Sequence, residues 1–143
     1  MVNDAVRRIN RDHEALDDLF KSMPRCLEGV NETSMCDSDA CGNAMECSRA
    51  VRSWLNLLFV FSSDHFARER SVMNGGAIST EHLNRHDGEH RDMLAAIEAL
   101  SRDYYADRDL PAAMSALYAI ANRIRDHSSS TDAELITFLQ ALR

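Results

Sequence analysis

Apolar residues recur at intervals of three and four along most of this chain, a spacing typical of amphipathic helices. In the first stripe a histidine continues the apolar series, which reads Val6, Ile9, His13, Leu16 and Phe20. Comparable stripes predict long helices over residues 3–23, 48–74 and 79–103, a fourth from about residue 109, and a short last helix. The pattern therefore predicts an all-α fold, an antiparallel up-down four-helix bundle with a short C-terminal helix.

Local signals indicate where these helices begin and turn. Gly75-Gly76 predicts a turn between the second and third helices, which makes them antiparallel neighbours. Ser79 is a suitable N-cap for the third helix, and Pro111 is tolerated in the first turn of the fourth. Thr131 and Glu134 have the spacing of a capping box, so we expect Thr131 to cap the short helix.

Histidines and two carboxylates lie on the same stripes as the apolar residues. Side chains four residues apart share one helix face, so His65 and Glu69, and likewise His86 and His90, can point at one centre. An unsatisfied buried polar group costs about 1–3 kcal/mol, a cost that metal ligation removes. The candidate ligands are His13, His65, Glu69, His86, His90, His127 and Asp132.

His127 and Asp132 need a break in the helix to reach the same centre. Five residues of helix rotate a side chain by roughly 140°, and the serines at 128–130 supply the break. Imidazole with carboxylate is a ligand set for zinc or non-haem iron. Seven ligands exceed the need of one metal, and two carboxylates that bridge predict a dinuclear site.

Composition narrows the class of protein. At 143 residues, with 45% apolar and 27% charged residues, the chain is expected to form one globular domain, 1–143. A net charge of −7 argues against a nucleic-acid partner. The longest apolar run, 54–61, is interrupted by Asn56, and the charged N-terminus does not resemble a signal peptide. We therefore expect a cytoplasmic protein with no membrane partner.

The ligand pattern resembles the hemerythrin family in its bacterial single-domain form. The matching contexts are RDHEALDDLF, HFARE, HDGEHRDML and IRDHSSSTD, which cover nearly the whole chain except residues 24–47. The resemblance implies two iron ions bridged by Glu69, Asp132 and a solvent-derived oxygen, which bind O2 reversibly. It assigns His86, His90 and His127 to one iron. His13 and His65 would hold the other iron, which keeps an open position.

The resemblance also implies an apolar O2 pocket. Ile124 matches the family's apolar residue over that pocket, and Leu16 and Phe66 are its expected neighbours. Two residues depart from the family's pattern: Arg70 stands where a second acid often follows the bridging glutamate, and Arg123 stands where an aromatic residue is common.

His82 is the one histidine without an assigned role. It precedes His86 by one turn on the same face, so His82 and His86 form an alternative ligand pair. We prefer His86 and His90, because the residues after them keep the family's register. His82 is then expected at the surface or just outside the ligand layer.

Four cysteines lie in the polar, turn-rich insert 24–47, which is expected to be a long loop. They are Cys26, Cys36, Cys41 and Cys47. No C-x2-C spacing occurs among them, so the zinc signal is weak. Reduced thiols in a variable loop are one interpretation; a redox-responsive disulfide, in any of three pairings, or a second metal site is the other.

The expected function is O2 carriage, storage or delivery by a protein that is not an enzyme. One alternative is a sensor of O2, NO or redox state that uses the iron pair and the cysteines. Another is a di-iron enzyme that handles peroxide or NO. Ferritin-like oxidases use Glu-x-x-His pairs, and the sequence contains none.

Overall fold

The structure of the protein is a computed structural model that describes residues 2–23, 44–75 and 78–142. The secondary structure within these ranges is helical throughout. The helices are α1 (Val2–Lys21), α2 (Ala44–Asn74), α3 (Thr80–Asp107), α4 (Leu110–Ser129) and α5 (Thr131–Ala141). The predicted all-α bundle with a short last helix is confirmed.

Two helices are longer than the apolar stripes predict. Helix α2 begins at Ala44 rather than near residue 48, because alanine, methionine and glutamate are good helix formers and extend the helix before its first core residue. Helix α3 continues past residue 103 because Tyr104 is buried and adds one more turn to the stripe. It ends where Arg108 adopts a left-handed φ of 54° and donates its N–H to the Tyr104 carbonyl.

The capping predictions have mixed outcomes. Ser79 caps α3 by accepting a hydrogen bond from the His82 N–H, and Asp109 caps α4 through its side chain. The predicted capping box at the start of α5 is wrong: the N-cap is Ser130, whose side chain makes no capping hydrogen bond and donates instead to the Asp126 carbonyl of α4. The Thr131 hydroxyl donates instead to Glu89 Oε2 of α3, at 2.6 Å. The Thr131 side chain therefore makes a contact with another helix and does not cap α5.

Neighbouring helices run antiparallel. Trp54 Nε1 donates to the Leu19 carbonyl at 3.0 Å, and the rings of His13 and His65 lie 5.2 Å apart. Residue numbers therefore rise along α1 as they fall along the facing part of α2. Helix α3 packs against α2 and α4, while α5 packs against α1 and α4.

The core consists of two apolar clusters with a polar layer between them. The larger cluster includes Leu16 and Ile124, and the smaller one consists of Ile9, Met73, Leu135 and Leu139 with half-buried neighbours. Ile9 lies one turn before His13 on α1 and Leu16 lies one turn after it, so the histidine separates the clusters. Helix α5 thus closes the bundle beneath the polar layer.

The expectations for the insert fall largely outside the described residues. Cys26, Cys36 and Cys41 lie outside them, and for Cys47 only the backbone, within α2, is described. Among the described helices, none combines the length and the apolar character that a membrane span needs.

Two adjacent leucines of α2 test the core. Leu58 is 0% exposed and Leu57 is 58% exposed. We expect Leu58→Ala to lower the free energy of unfolding by about 2–5 kcal/mol, because it leaves a cavity. Leu57→Ala should change it by no more than about 0.5 kcal/mol. Urea denaturation of the metal-free proteins measures both values, and equal losses would contradict the assignment of the buried face.

Candidate metal centre

Five imidazoles and two carboxylates meet in the polar layer between the two clusters. Each of the five helices supplies at least one of them: His13 from α1, His65 and Glu69 from α2, His86 and His90 from α3, His127 from α4 and Asp132 from α5. All except His13 are buried, and the His13 side chain is 20% exposed. The structure therefore brings together all seven residues that the sequence singled out.

The seven residues form two overlapping groups of possible metal ligands. One group consists of Glu69, His86, His90, His127 and Asp132, and the other of His13, His65, Glu69 and Asp132. Within each group one ligand atom per residue lies within 4.8 Å of all the others. The two carboxylates belong to both groups.

Glu69 directs one oxygen to each group. Its Oε1 lies 3.3 Å from His65 Nε2 and 4.0 Å from His13 Nε2. Its Oε2 lies 3.0 Å from His90 Nε2 and 3.2 Å from His86 Nε2. This arrangement suits a carboxylate that bridges two cations.

Asp132 divides its oxygens in the same way. Its Oδ2 lies 2.8 Å from His13 Nε2, while its Oδ1 lies 2.9 Å from His86 Nε2 and 2.8 Å from His127 Nε2. The predicted break makes this possible: α4 ends at Ser129 and α5 begins at Thr131, with Ser130 at φ −116° and ψ −71° between them.

The polar atoms of the layer fit cations better than they fit one another. Glu69 Oε1 and Asp132 Oδ1 are buried, yet no neighbouring donor is oriented to make a hydrogen bond to either. The Nε2 atoms of His90 and His127 lie 2.9 Å apart, so at most one of them can carry a proton and the other presents a lone pair. Unsatisfied buried groups of this kind call for a physical explanation, and metal ions would accept all of these lone pairs.

Without metal, protons must balance the charge of the buried carboxylates. Burial alone would lower the pKa of His86, but the neighbouring Asp132 and Glu69 carboxylates raise it to about 9. Burial tends to raise the pKa of the Asp132 carboxyl, yet the imidazoles of His127, His13 and His86 beside it hold that pKa well below its usual range. Burial lowers the pKa of His90 to about 4, so that histidine stays neutral near pH 7. The proton on His86 occupies the place that a cation would take.

Two further carboxylates contact candidate ligand histidines on the ring nitrogen that faces away from the layer, Nδ1. The sequence did not single them out. Asp12 Oδ2 lies 3.1 Å from His65 Nδ1 and also accepts from Arg68 Nε at 2.8 Å. Glu89 Oε2 lies 2.6 Å from His127 Nδ1. Partners of this kind fix the orientation of a metal-binding imidazole. The only sequence signal was position: Asp12 and Glu89 each directly precede a candidate ligand histidine.

His82 lies just outside the ligand layer, one of the two positions that the sequence left open. It is 1% exposed, and its Nε2 lies 3.0 Å from His86 Nδ1. The possible ligand groups among the described residues contain His86 and His90 but not His82. Burial, together with the nearby His86, lowers the pKa of His82, so its ring is neutral near pH 7.

A cavity of about 250 Å³ opens beside the layer between α1 and α4. Leu16 and Ile124 line it next to His13. Phe66, the third residue that the sequence placed near a pocket, stacks on His90, with ring centroids 3.9 Å apart and planes 12° apart. Because Phe66 directly follows His65, its side chain is rotated about 100° around α2, which turns it toward α3.

The fold and the site together define a helical-bundle protein with a cation-binding core. The family model described as the hemerythrin HHE cation binding domain matches residues 4–139. The chain therefore belongs to the hemerythrin family, which confirms the resemblance seen in its sequence. No curated protein and no solved structure matches the chain significantly.

The raised pKa of His86 predicts a pH dependence for the metal-free protein. A histidine whose pKa is raised above 6.5 by folding stabilises the fold fully below pH 6.5 and loses that contribution as the pH rises through the folded value. Burial alone would lower the pKa of His13, but the Asp132, Glu69 and Asp12 carboxylates together raise it on folding. We expect the free energy of unfolding to fall by roughly 3 kcal/mol between pH 6.5 and 9.

Urea denaturation across this pH range measures the effect. Replacing the four cysteines by serine in every sample removes thiol ionisation from the comparison. In the same background His86→Gln should flatten most of the decline. A wild-type stability that is level from pH 6.5 to 9 would show that no histidine proton balances the carboxylates.

Proposed function

We propose that this protein binds two iron ions in its polar layer and binds O2 reversibly there. The observation that supports this most strongly is the sharing of Glu69 and Asp132 by both ligand groups. Two carboxylates, each with one oxygen directed to each group, suit a dinuclear centre rather than two independent ions. Imidazole and carboxylate together suit non-haem iron. An iron pair with an open position supplies the capacity to bind O2.

The two groups differ in how many histidines they provide. His86, His90 and His127 would hold one iron and His13 and His65 the other, with Glu69 and Asp132 shared between them. The second group supplies one imidazole fewer, so its iron would be the one able to take a small ligand. His13 is the proposed ligand nearest to solvent, so a small ligand would reach the layer most readily beside it.

The cavity beside His13 suits a small, uncharged ligand. Leu16, Phe20 and Ile124 give it apolar walls, while Asp17 and Arg125 lie among its polar lining residues. Apolar walls next to the open position limit the access of water and anions, which would displace O2. The side chains that the chain places around the site therefore favour binding and release over chemical turnover.

Iron content and the optical spectrum test the proposal directly. We expect about two iron ions per chain in wild type, and an absorption band that appears with O2 and disappears on its removal. Asp132→Asn keeps the size of the side chain but cannot bridge, so we expect it to retain one iron or fewer. Asp92→Ala, which removes an exposed carboxylate of α3, is the control and should retain both irons.

Two results would contradict the proposal. Full iron content in Asp132→Asn would remove the bridging role of Asp132. An iron-loaded wild type that consumes hydrogen peroxide or NO catalytically, without a reversible O2 band, would favour a di-iron enzyme instead.

Ile124 and Ile120 provide a matched pair for the pocket. Both are buried on α4, but Ile124 lines the cavity beside His13, whereas Ile120 lines a separate groove between α3 and α4. We expect Ile124→Ala to keep both irons and to autoxidise several-fold faster, because the shortened side chain admits water beside polar ligands. Ile120→Ala should autoxidise at the wild-type rate. Decay of the O2-dependent absorption band measures both, and equal rates would show that Ile124 does not protect the site.

A further inference from the structure

The Nδ1 atom of His86 points away from the polar layer and contacts a different kind of partner from the Nδ1 atoms of His65 and His127. His65 and His127 each place Nδ1 against a carboxylate, Asp12 or Glu89. His86 instead places Nδ1 3.0 Å from the imidazole Nε2 of His82. A buried imidazole therefore takes the place that a carboxylate occupies twice elsewhere in the same site.

The orientation of His86 determines which hydrogen bond His82 must make to it. Its Nε2 faces the layer, 2.9 Å from Asp132 Oδ1 and 3.2 Å from Glu69 Oε2. If Nε2 gives its lone pair to a metal, the ring proton has to be on Nδ1, where it needs a hydrogen-bond acceptor. Neutral His82 can accept it through Nε2. Its own ring proton is then on Nδ1, which faces Glu134 Oε1 at 3.5 Å.

His82 is held in this position from several sides. Its backbone N–H donates to the Ser79 hydroxyl, and its ring meets Phe138 edge-on at 5.4 Å between centroids. Arg85 pairs with Glu134 at the surface. Arg85 Nη2 also lies 3.2 Å from His82 Nδ1 and can donate to that nitrogen when it carries no proton. With the proton on Nδ1, the tautomer that a metal on His86 Nε2 would require, the guanidinium donates only to Glu134. The contacts run from His86 through His82 to an ion pair at the surface.

We infer that His82 is a positioning residue of the metal centre. It accepts a hydrogen bond from His86 Nδ1 and so fixes the ring orientation and tautomer that aim His86 Nε2 between Glu69 and Asp132. This inference rests on the proposed role of His86 as a ligand. It assigns a role to the histidine that the sequence left without one.

The burial of His82 explains why the partner of His86 Nδ1 is an imidazole and not a carboxylate. The side chain of Asp12 is 14% exposed and that of Glu89 is 38% exposed, whereas His82 is 1% exposed. A carboxylate at the depth of His82 would be a third buried anion beside Glu69 and Asp132, and burial of an ion carries a large desolvation cost. A neutral imidazole accepts the hydrogen bond without adding a charge.

Two substitutions of His82 separate hydrogen bonding from packing. His82→Leu fills similar space but accepts no hydrogen bond, while the amide oxygen of His82→Gln can accept one. We expect His82→Leu to weaken Fe²⁺ affinity roughly tenfold, measured anaerobically by competition with a chelator, as for the loss of other outer partners of metal ligands. His82→Gln should stay close to wild type. Phe138→Leu loosens the packing around His82 without removing the acceptor, and should also stay close to wild type.

A spectroscopic readout tests the hydrogen bond itself. In iron-loaded wild type the His86 Nδ1 proton should give an iron-shifted NMR signal that exchanges slowly with water. We expect the signal to persist in His82→Gln and to be lost or to exchange quickly in His82→Leu. Circular dichroism of the metal-free variants reports whether each one folds. If His82→Leu does not fold, the Fe²⁺ affinity and the NMR signal of His82→Gln test the inference instead. A loss of both in His82→Gln would mean that a hydrogen-bond acceptor is not what His86 requires.

Three other outcomes would overturn the inference. Wild-type affinity together with an unchanged signal in folded His82→Leu would show that His86 needs no partner. An equal loss of affinity in Phe138→Leu would reduce His82 to a packing role. Failure of wild type to bind Fe²⁺ would refute the metal centre itself, and this result is distinguishable because it appears before any substitution is made.

Discussion

The rest of the structure depends on the burial of two carboxylates. Glu69 and Asp132 are both 0% exposed and lie between two apolar clusters. Removal of a carboxylate from water costs several kcal/mol even after the surroundings relax, so positive charge has to accompany each one. In the metal-free protein the proton on His86 supplies part of it, because the neighbouring Asp132 and Glu69 carboxylates raise the pKa of that imidazole to about 9. Bound cations would supply it instead in a metal-loaded protein.

This constraint also fixes how the helices fit together. Helices α1, α2 and α3 carry apolar residues of both clusters on either side of their histidines, so their positions along the bundle axis are set by the layer. A shift of one turn would move Glu69 away from His86 and His90 and leave a buried carboxylate unmatched. The polar layer therefore specifies the register of the bundle, although uninterrupted apolar packing would supply more hydrophobic stabilisation.

Spacing predicted the fold and the convergence of seven side chains because both depend on patterns within single helices. His65 and Glu69 share a face of α2 wherever that helix is placed. The contacts of Asp12 and Glu89 depend on more than one helix. Each side chain points about 100° away from the histidine next to it in sequence and contacts a histidine on another helix. The rotation of those helices is a property of the whole bundle, which no local spacing encodes. Thr131 shows the same limit, since its contact with Glu89 displaced a locally plausible cap.

The length of α2 places its first turn far from the polar layer. At 1.5 Å per residue, the backbone of Cys47 lies roughly 27 Å along the helix axis from His65. Helix α2 carries His65, which belongs to one ligand group, and Glu69, which belongs to both. A displacement of this helix along its axis would therefore move parts of both ligand groups at once.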